Sequence, residues 1–307
     1  LTVDNLSRGR IRVIISASRR TDIPAFYSRW FINRIREGRC TVPHPFNPKQ
    51  ISEVSLKPED VDVIVFWTRD PRPLFSHLEE LDKMGYRYYF QYTLMANPRS
   101  LDPRVPTLSV SIETFRELSG RVGPEKVIWR YDPIVFSTAT PPNFHREVYG
   151  RIARALRGFT RRSVISIVDI YSRIRRRLEK MREEGIIITP GGEIPEEVIA
   201  GCMNQIAASA RENGMEIVSC AEEIDLTPYG VRPGKCIDDV LIRNLFGLRV
   251  SRRKDPGQRR LCKCVLSRDI GVYETCLFGC RYCYATTSFE RAEANFRRHD
   301  PASPSLV

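Results

Sequence analysis

The chain has 307 residues, 42% hydrophobic and 28% charged, the composition of an ordinary globular protein with ample material for a core. No stretch approaches the roughly 20 consecutive apolar residues of a membrane helix, and the first ten residues, LTVDNLSRGR, carry no apolar run behind their charges, so a cytoplasmic protein is expected and a membrane-spanning or secreted one is not. The formal net charge is +12, from 49 Lys+Arg against 37 Asp+Glu, with only eight Lys among the 49; such a field favours polyanionic partners, nucleic acid among them, although basic enzymes without such partners are common.

Short runs rich in β-branched and aromatic residues predict strands at 12–16 (RVIIS), 62–68 (DVIVFWT), 88–94 (YYFQYTL), 126–131 (KVIWRY), 163–170 (SVISIVDI) and 216–221 (EIVSCA). Amphipathic stretches at 25–37, 74–84, 110–119, 144–156, 174–184 and 195–213 predict helices between them. This alternation predicts an α/β fold with a parallel sheet, a complete or partial (β/α) barrel of the TIM type. Residues 1–225 would supply its units and the Cys-rich segment 226–307 would complete it. No GxGxxG follows any of these strands, which argues against a dinucleotide-binding fold. The closing PASPSLV (301–307) is expected to be a disordered tail.

A barrel carries its active site at the C-terminal ends of its strands. The residues falling there are Ser18, Arg19, Arg20, Thr21 and Asp22 after the first strand, Trp67 and Thr68 on the second, and Gln91, Tyr92 and Thr93 on the third. The fourth contributes Arg130, Tyr131 and Asp132, the fifth Asp169 and Tyr171, and the sixth Glu222 and Glu223. Strand ends are often polar for no functional reason, but six contributing together point to a shared pocket. In it Arg19, Arg20, Asp22, Tyr92, Arg130, Asp132 and Tyr171 are the catalytic candidates, and Ser18, Trp67, Thr68, Asp169 and Glu222 the candidates for holding a cofactor.

Eight of the nine cysteines fall between Cys202 and Cys283. A disulfide framework does not suit a reducing compartment, so the clustering points to metal or redox chemistry. The sharpest element is Cys276-Leu-Phe-Gly-Cys280-Arg-Tyr-Cys283. Three thiolates spaced CxxxCxxC can ligate three irons of a 4Fe–4S cluster and leave the fourth iron open to chelate S-adenosylmethionine (SAM). One-electron cleavage of SAM would then give a 5′-deoxyadenosyl radical that abstracts hydrogen from a substrate. An aromatic residue before the last Cys belongs to the radical-SAM signature; Tyr282 has that place, and the resemblance implies that it lies near the adenine. Zinc is the competing reading, with Cys262 and Cys264 completing a set with Cys280 and Cys283. Cys220, Cys236, Cys262 and Cys264 make four further thiols, the number a fully ligated second cluster needs; one structural zinc among ordinary buried thiols is the alternative. Cys40 and Cys202 fall in helical patterns and read as buried thiols.

Several long segments resemble a widespread prokaryotic family defined by a domain of unknown function: ISASRRTDIPAFY (15–27), PFNPKQ (45–50), DVIVFWTRDPRPL (62–74), VIWRYDPI (127–134), CAE (220–222), Cys236-Ile-Asp238, QRRLCKC (258–264) and DIGVYETCLFGCRYCYA (269–285). The resemblance implies that the seven cysteines from Cys220 to Cys283 are the family's cysteines. The ending GCRYCYA is similar to the cluster loop of radical-SAM enzymes such as spore photoproduct lyase. In ordinary radical-SAM enzymes that loop follows the first strand, whereas here it closes the chain. Residues 268–274 read as a short strand, then come the loop and a helix over 285–298, one βα unit displaced to the C-terminus. A circularly permuted barrel is therefore expected, its last unit docking beside the first strand. Gly191-Gly192-Glu193 resembles the glycine-rich motif that binds the SAM amine, but it falls between helices and reads as a decoy. The basic segment SRRKDPGQRR (251–260) could meet phosphates, offset cluster charge or stand in solvent. The leading expectation is a radical-SAM enzyme served by an electron donor such as a ferredoxin or flavodoxin. A non-catalytic iron–sulfur or zinc protein, or a nucleic-acid-binding protein with a zinc site, stands as the alternative.

Overall fold

The computed structural model describes residues 12–45 and 47–307; residues 1–11 and Phe46 of the PFNPKQ segment lie outside the described residues. The strands, in chain order, are β1 (Val13–Ala17), β2 (Arg39–His44), β3 (Asn47–Ser55), β4 (Val61–Thr68), β5 (Tyr88–Thr93), β6 (Val127–Ile134), β7 (Arg162–Ile167), β8 (Glu216–Ser219), β9 (Arg232–Pro233) and β10 (Arg268–Asp269). The helices are α1 (Ile23–Phe26), α2 (Ser28–Glu37), α3 (Leu78–Lys83), α4 (Leu108–Val122), α5 (Pro142–Ala155), α6 (Arg175–Glu183), α7 (Glu196–Glu212), α8 (Asp239–Phe246) and α9 (Phe289–Arg298). All six expected strands form. Helix α3 starts late because Pro71 and Pro73 shape a 3-10 turn over Arg72–His77 ahead of it.

Eight strands make one parallel sheet in the order β10-β1-β4-β5-β6-β7-β8-β9, and β2 and β3 pair antiparallel in a separate hairpin that the strand patterns did not reveal. One face of the large sheet packs against the helices: Ile64, Phe66, Phe90 and Trp129 share a core with Trp30 and Phe31 of α2, Phe115 of α4, Tyr149 of α5 and Met203 of α7. The other face, with Ile14, Val63, Val65, Tyr89, Ile128, Val164 and Val218, is covered by Cys236, Ile237, Ile242, Cys262, Cys264 and Val265. Burial on both faces explains why these strands read as near-continuous apolar runs.

The sheet is open. Strands β9 and β10 are its edges, and no pairing joins them among the described residues, so of the complete or partial barrel expected only an open parallel sheet flanked by helices is seen. Each edge strand has only two residues, because the chain leaves β9 to run across the sheet's inner face before reaching β10 at the far side. Parallel pairing of β10 with β1, Ile15 opposite Arg268 and Ser16 opposite Asp269, seats the last unit beside the first strand. Asp269 fastens this junction by accepting from Ser16 Oγ (2.7 Å), Ser18 Oγ (2.6 Å), Arg19 N (2.9 Å) and Gly271 N (3.0 Å). Gly271 lies so close to Ser18 that a Cβ there would meet Ser18 Oγ at 2.0 Å, which requires glycine.

Two further expectations are corrected. Cys40 lies on β2, not in a helix, although it is buried as expected; Cys202 is buried on α7. The tail 301–307 is ordered: the carbonyls of Pro301, Ala302 and Ser303 accept from Asn33, Arg34 and Trp30 of α2, and that of Pro304 from Thr41 N of β2. Leu306 is buried at 1% exposure.

Candidate metal centre

A cavity of about 480 Å³ opens at the C-terminal ends of the parallel strands, where an α/β sheet presents its binding residues. Ser18 to Asp22 enter it from the loop after β1, Trp67 and Thr68 from β4, Arg130 and Asp132 from β6, and Asp169 and Tyr171 from the segment after β7. All seven cysteines from Cys220 to Cys283 also line it, although 63 residues separate the first from the last. Nine cysteines are free, so none of these is tied up in a disulfide.

The loop bearing Cys276, Cys280 and Cys283 is held from several sides. Glu274, with a left-handed φ of 60°, turns the chain into it; its carboxylate accepts from Thr287 N and Ser288 N, 2.9 Å each, and its N–H bonds to Ala285 O at 3.1 Å. Both ends of the loop are thereby drawn together. Arg177 of α6 donates to the carbonyls of Cys280, Arg281 and Cys283, each at 3.3 Å, and to Thr286 O. Arg281 N donates to Leu101 O at 2.9 Å, and Tyr27 Oη donates to Thr275 O at 2.7 Å. Phe278 packs on Phe26 with ring centroids 4.7 Å apart. Burial pushes the Cys276 thiol up to about 12, and it raises Cys280 and Cys283 as well. Thiols so raised are neutral at ordinary pH, and a metal that binds them must displace their protons.

Tyr282 lines the cavity, and its hydroxyl is locked into a buried polar group: Arg69 Nη2 donates to it at 2.7 Å and it donates to Asp102 Oδ2 at 3.0 Å. Arg69 also pairs with Asp102 at 3.1 Å. Neither Arg69 nor Asp102 was singled out from the sequence; the signal for Arg69 was its position one residue beyond Thr68 in a motif already noted. Asp22 caps α1 by accepting from Ala25 N at 3.0 Å and also accepts from Arg69 N at 2.6 Å, yet burial raises its carboxyl to about 7.

Beside this loop the other four thiols gather on the inner face. Cys236 Sγ lies 3.1 Å from Cys220 Sγ, and Arg130 Nη1 donates to Cys236 Sγ at 2.7 Å. Cys264 Sγ accepts from Ile237 N at 3.4 Å; hydrogen bonds from Cys236 and Cys262 push its thiol down, helped by Arg19. The backbone of Cys236 is fixed from below, its carbonyl accepting from Tyr89 Oη and Gln91 Nε2 at 2.7 Å each. Trp67 stands between Arg19 and Arg130, whose guanidinium carbons lie 5.0 and 4.9 Å from its ring centroid. As they stand, no three His, Cys, Asp or Glu side chains among the described residues are disposed to hold one metal ion.

Some expected residues are not brought to the cavity. Tyr92 points to the helical side of the sheet, stacked on Phe115 at 5.0 Å with its hydroxyl donating to Ser111 O. Tyr131 likewise packs in the helical core and pairs with His145 Nδ1 at 2.9 Å. The pleat sends alternate side chains to opposite faces, so their neighbours Gln91 and Arg130 take the inner face instead. Glu222 sits behind the wall, accepting from Ile167 N at 3.0 Å, with its carboxyl raised to about 8 by burial. Asp169 and Tyr171 do line the cavity: Asp169 stands half exposed and pairs with Arg259 of the basic segment, and Tyr171 lies tilted against Tyr284 with centroids 4.9 Å apart. Gly191–Glu193 forms a 3-10 turn between α6 and α7, outside the cavity lining.

The donor chemistry fits a cluster and a polar small molecule. Three unpaired thiols converge on one loop, and the buried Arg19 Nη2 and Thr21 Oγ1, both from cavity-lining residues, have no hydrogen-bond partner. A buried polar atom without a partner can be completed by a bound ligand or water. No helix among the described residues is long and apolar enough to cross a membrane. No curated protein matches the chain. Residues 14–285, which include all seven cavity cysteines, match the model of the domain of unknown function DUF1848, and the chain belongs to that family.

Proposed function

We propose that this protein is a radical-SAM enzyme whose barrel-like α/β sheet is circularly permuted, with its cluster loop on the last βα unit. The observation that carries the reading is the convergence of Cys276, Cys280 and Cys283 with the strand-end residues Ser18 to Asp22 in one cavity. These three cysteines would hold a 4Fe–4S cluster, and the chemistry supplied by that cluster together with SAM is one-electron cleavage of a carbon–sulfur bond and hydrogen abstraction from a substrate. The chain's own residues have separable tasks. Arg177 and Glu274 fix the carbonyls and the two ends of the loop that carries the three thiols. Tyr282, held by Arg69 and Asp102, keeps the last turn of the loop rigid. Thr21 offers SAM or substrate a free hydroxyl, while Asp132, accepting from Arg130 and Ser166, presents an anchored carboxylate. Arg259 and Asp169, both lining the cavity, pair with each other at its mouth. The positive net charge suits docking of an acidic ferredoxin or flavodoxin as electron donor.

The test is made on anaerobically reconstituted protein. Iron, sulfide and zinc are counted per chain, EPR spectra of the reduced protein are compared with and without SAM, and 5′-deoxyadenosine is assayed. About four irons or more per chain, a signal that changes with SAM, and 5′-deoxyadenosine formation are expected. Zinc without labile sulfide would refute the proposal and leave a non-catalytic metal protein.

A further inference from the structure

We propose that Cys220, Cys236, Cys262 and Cys264 form a second metal centre, a tetrathiolate site faced by the guanidiniums of Arg19 and Arg130. The inference is independent of SAM chemistry at the other loop. Four free thiols reach one patch of the inner face from three separate stretches of chain: the end of β8, the turn after β9, and the strap before β10. They lie among Val65, Val164 and Val218 of the sheet, with Cys220 and Cys236 sulfurs only 3.1 Å apart.

The surroundings are those of an anionic group. Arg130 is buried, at 6% exposure, and aims Nη1 at Cys236 Sγ from 2.7 Å, while its Nη2 is taken by Asp132. Arg19 keeps an unpartnered Nη2 within the same wall, and Trp67 spaces the two guanidiniums apart. A buried guanidinium needs anionic partners, and neutral thiols are weak acceptors. A doubly charged metal core with four thiolates carries a formal charge of about −2, which Arg19 and the Nη1 that Arg130 turns toward Cys236 would stabilise, Asp132 already taking part of the Arg130 charge. Both a single zinc ion and a fully ligated 4Fe–4S cluster have that charge. Loading must part Cys220 and Cys236, whose sulfurs are 3.1 Å apart, to about the 3.8 Å required on one tetrahedral ion, and further for a cluster. The cavity that both residues line provides the room.

The experiment counts metal in variants that separate the two sites. A triple variant carrying Cys276→Ala, Cys280→Ala and Cys283→Ala is reconstituted anaerobically beside the wild type, with folding checked by circular dichroism. It should retain about four irons with matching sulfide, identifying a cluster, or about one zinc, identifying a single ion. A folded triple variant with neither would overturn the proposal. A second variant, Cys262→Ser with Cys264→Ser, should lose that same metal while keeping the metal of the CxxxCxxC loop; unchanged metal content would equally overturn it. Arg130→Met should cut retention several-fold during gel filtration against chelator, and Arg130→Lys should restore part of it. Metal retained by the triple variant, together with a reconstituted wild type that never cleaves SAM, would sink the radical reading alone.

Discussion

Replacing Asp269 with alanine tests whether one carboxylate holds the last βα unit against the first strand. The substitution strips the acceptor from Ser16 Oγ, Ser18 Oγ, Arg19 N and Gly271 N. Ser16 and Ser18 are 0% and 3% exposed, so water does not readily replace the lost partner for them. Each hydrogen bond to a charged acceptor contributes about 1.5–3 kcal/mol, and two such buried donors left unmatched cost about 3 kcal/mol or more. Ser16 Oγ also accepts from Trp67 Nε1 at 3.1 Å, so the indole reports the disturbance by its fluorescence. Urea unfolding of Asp269→Ala should show a loss of about 3 kcal/mol at unchanged slope, with faster hydrogen exchange in 268–275 than in β5 and β6. Asp269→Asn, which keeps one carbonyl acceptor, should fall between the two. A loss below about 1 kcal/mol for the alanine variant would refute the idea that this carboxylate fastens the permuted unit.

Three other outcomes are expected. Burial of His145, which accepts from Tyr131 Oη at Nδ1 and bonds Val135 O through Nε2, lowers its pKa to about 4 from about 6.5. The unfolded chain therefore binds the extra proton first, so this contribution is complete above pH 6.5 and drains away as pH falls towards 4; about 3 kcal/mol should disappear in urea titrations across that window, and His145→Gln should flatten the curve. Glu274→Ala should free the loop carrying Cys276, Cys280 and Cys283, raising exchange in 284–290 and speeding iron loss to chelator several-fold, whereas unchanged exchange would rule out a clamp there. Deleting residues 301–307 removes the carbonyls that satisfy the buried Trp30 and Arg34 and the burial of Leu306, a loss of about 3–5 kcal/mol measurable as a lower urea midpoint.

The sequence by itself determined the alternation of strands and helices and the spacing of Cys276, Cys280 and Cys283, since both are local: side-chain branching and periodicity choose the element, and four- and three-residue steps choose the loop. Its limits are equally physical. A strand buried on both faces reads as continuous apolar sequence, so nothing local distinguishes the face of Tyr92 from the face of Gln91, or Tyr131 from Arg130. The hairpin of β2 and β3 draws on proline and charged residues that a strand pattern does not favour, and the tail is ordered only because α2 offers it donors. Two-residue edge strands carry no periodicity at all, so the open sheet could not be told from a closed barrel. Only the tertiary structure brought Arg69 to Asp102, and the four cysteines of the inner face to the three of the loop. The pairs Cys220–Cys236, Arg69–Asp102 and Arg69–Tyr282 lie 16 to 213 positions apart in sequence, and a separation of that kind is set by which strand lies beside which, not by the spacing of any motif.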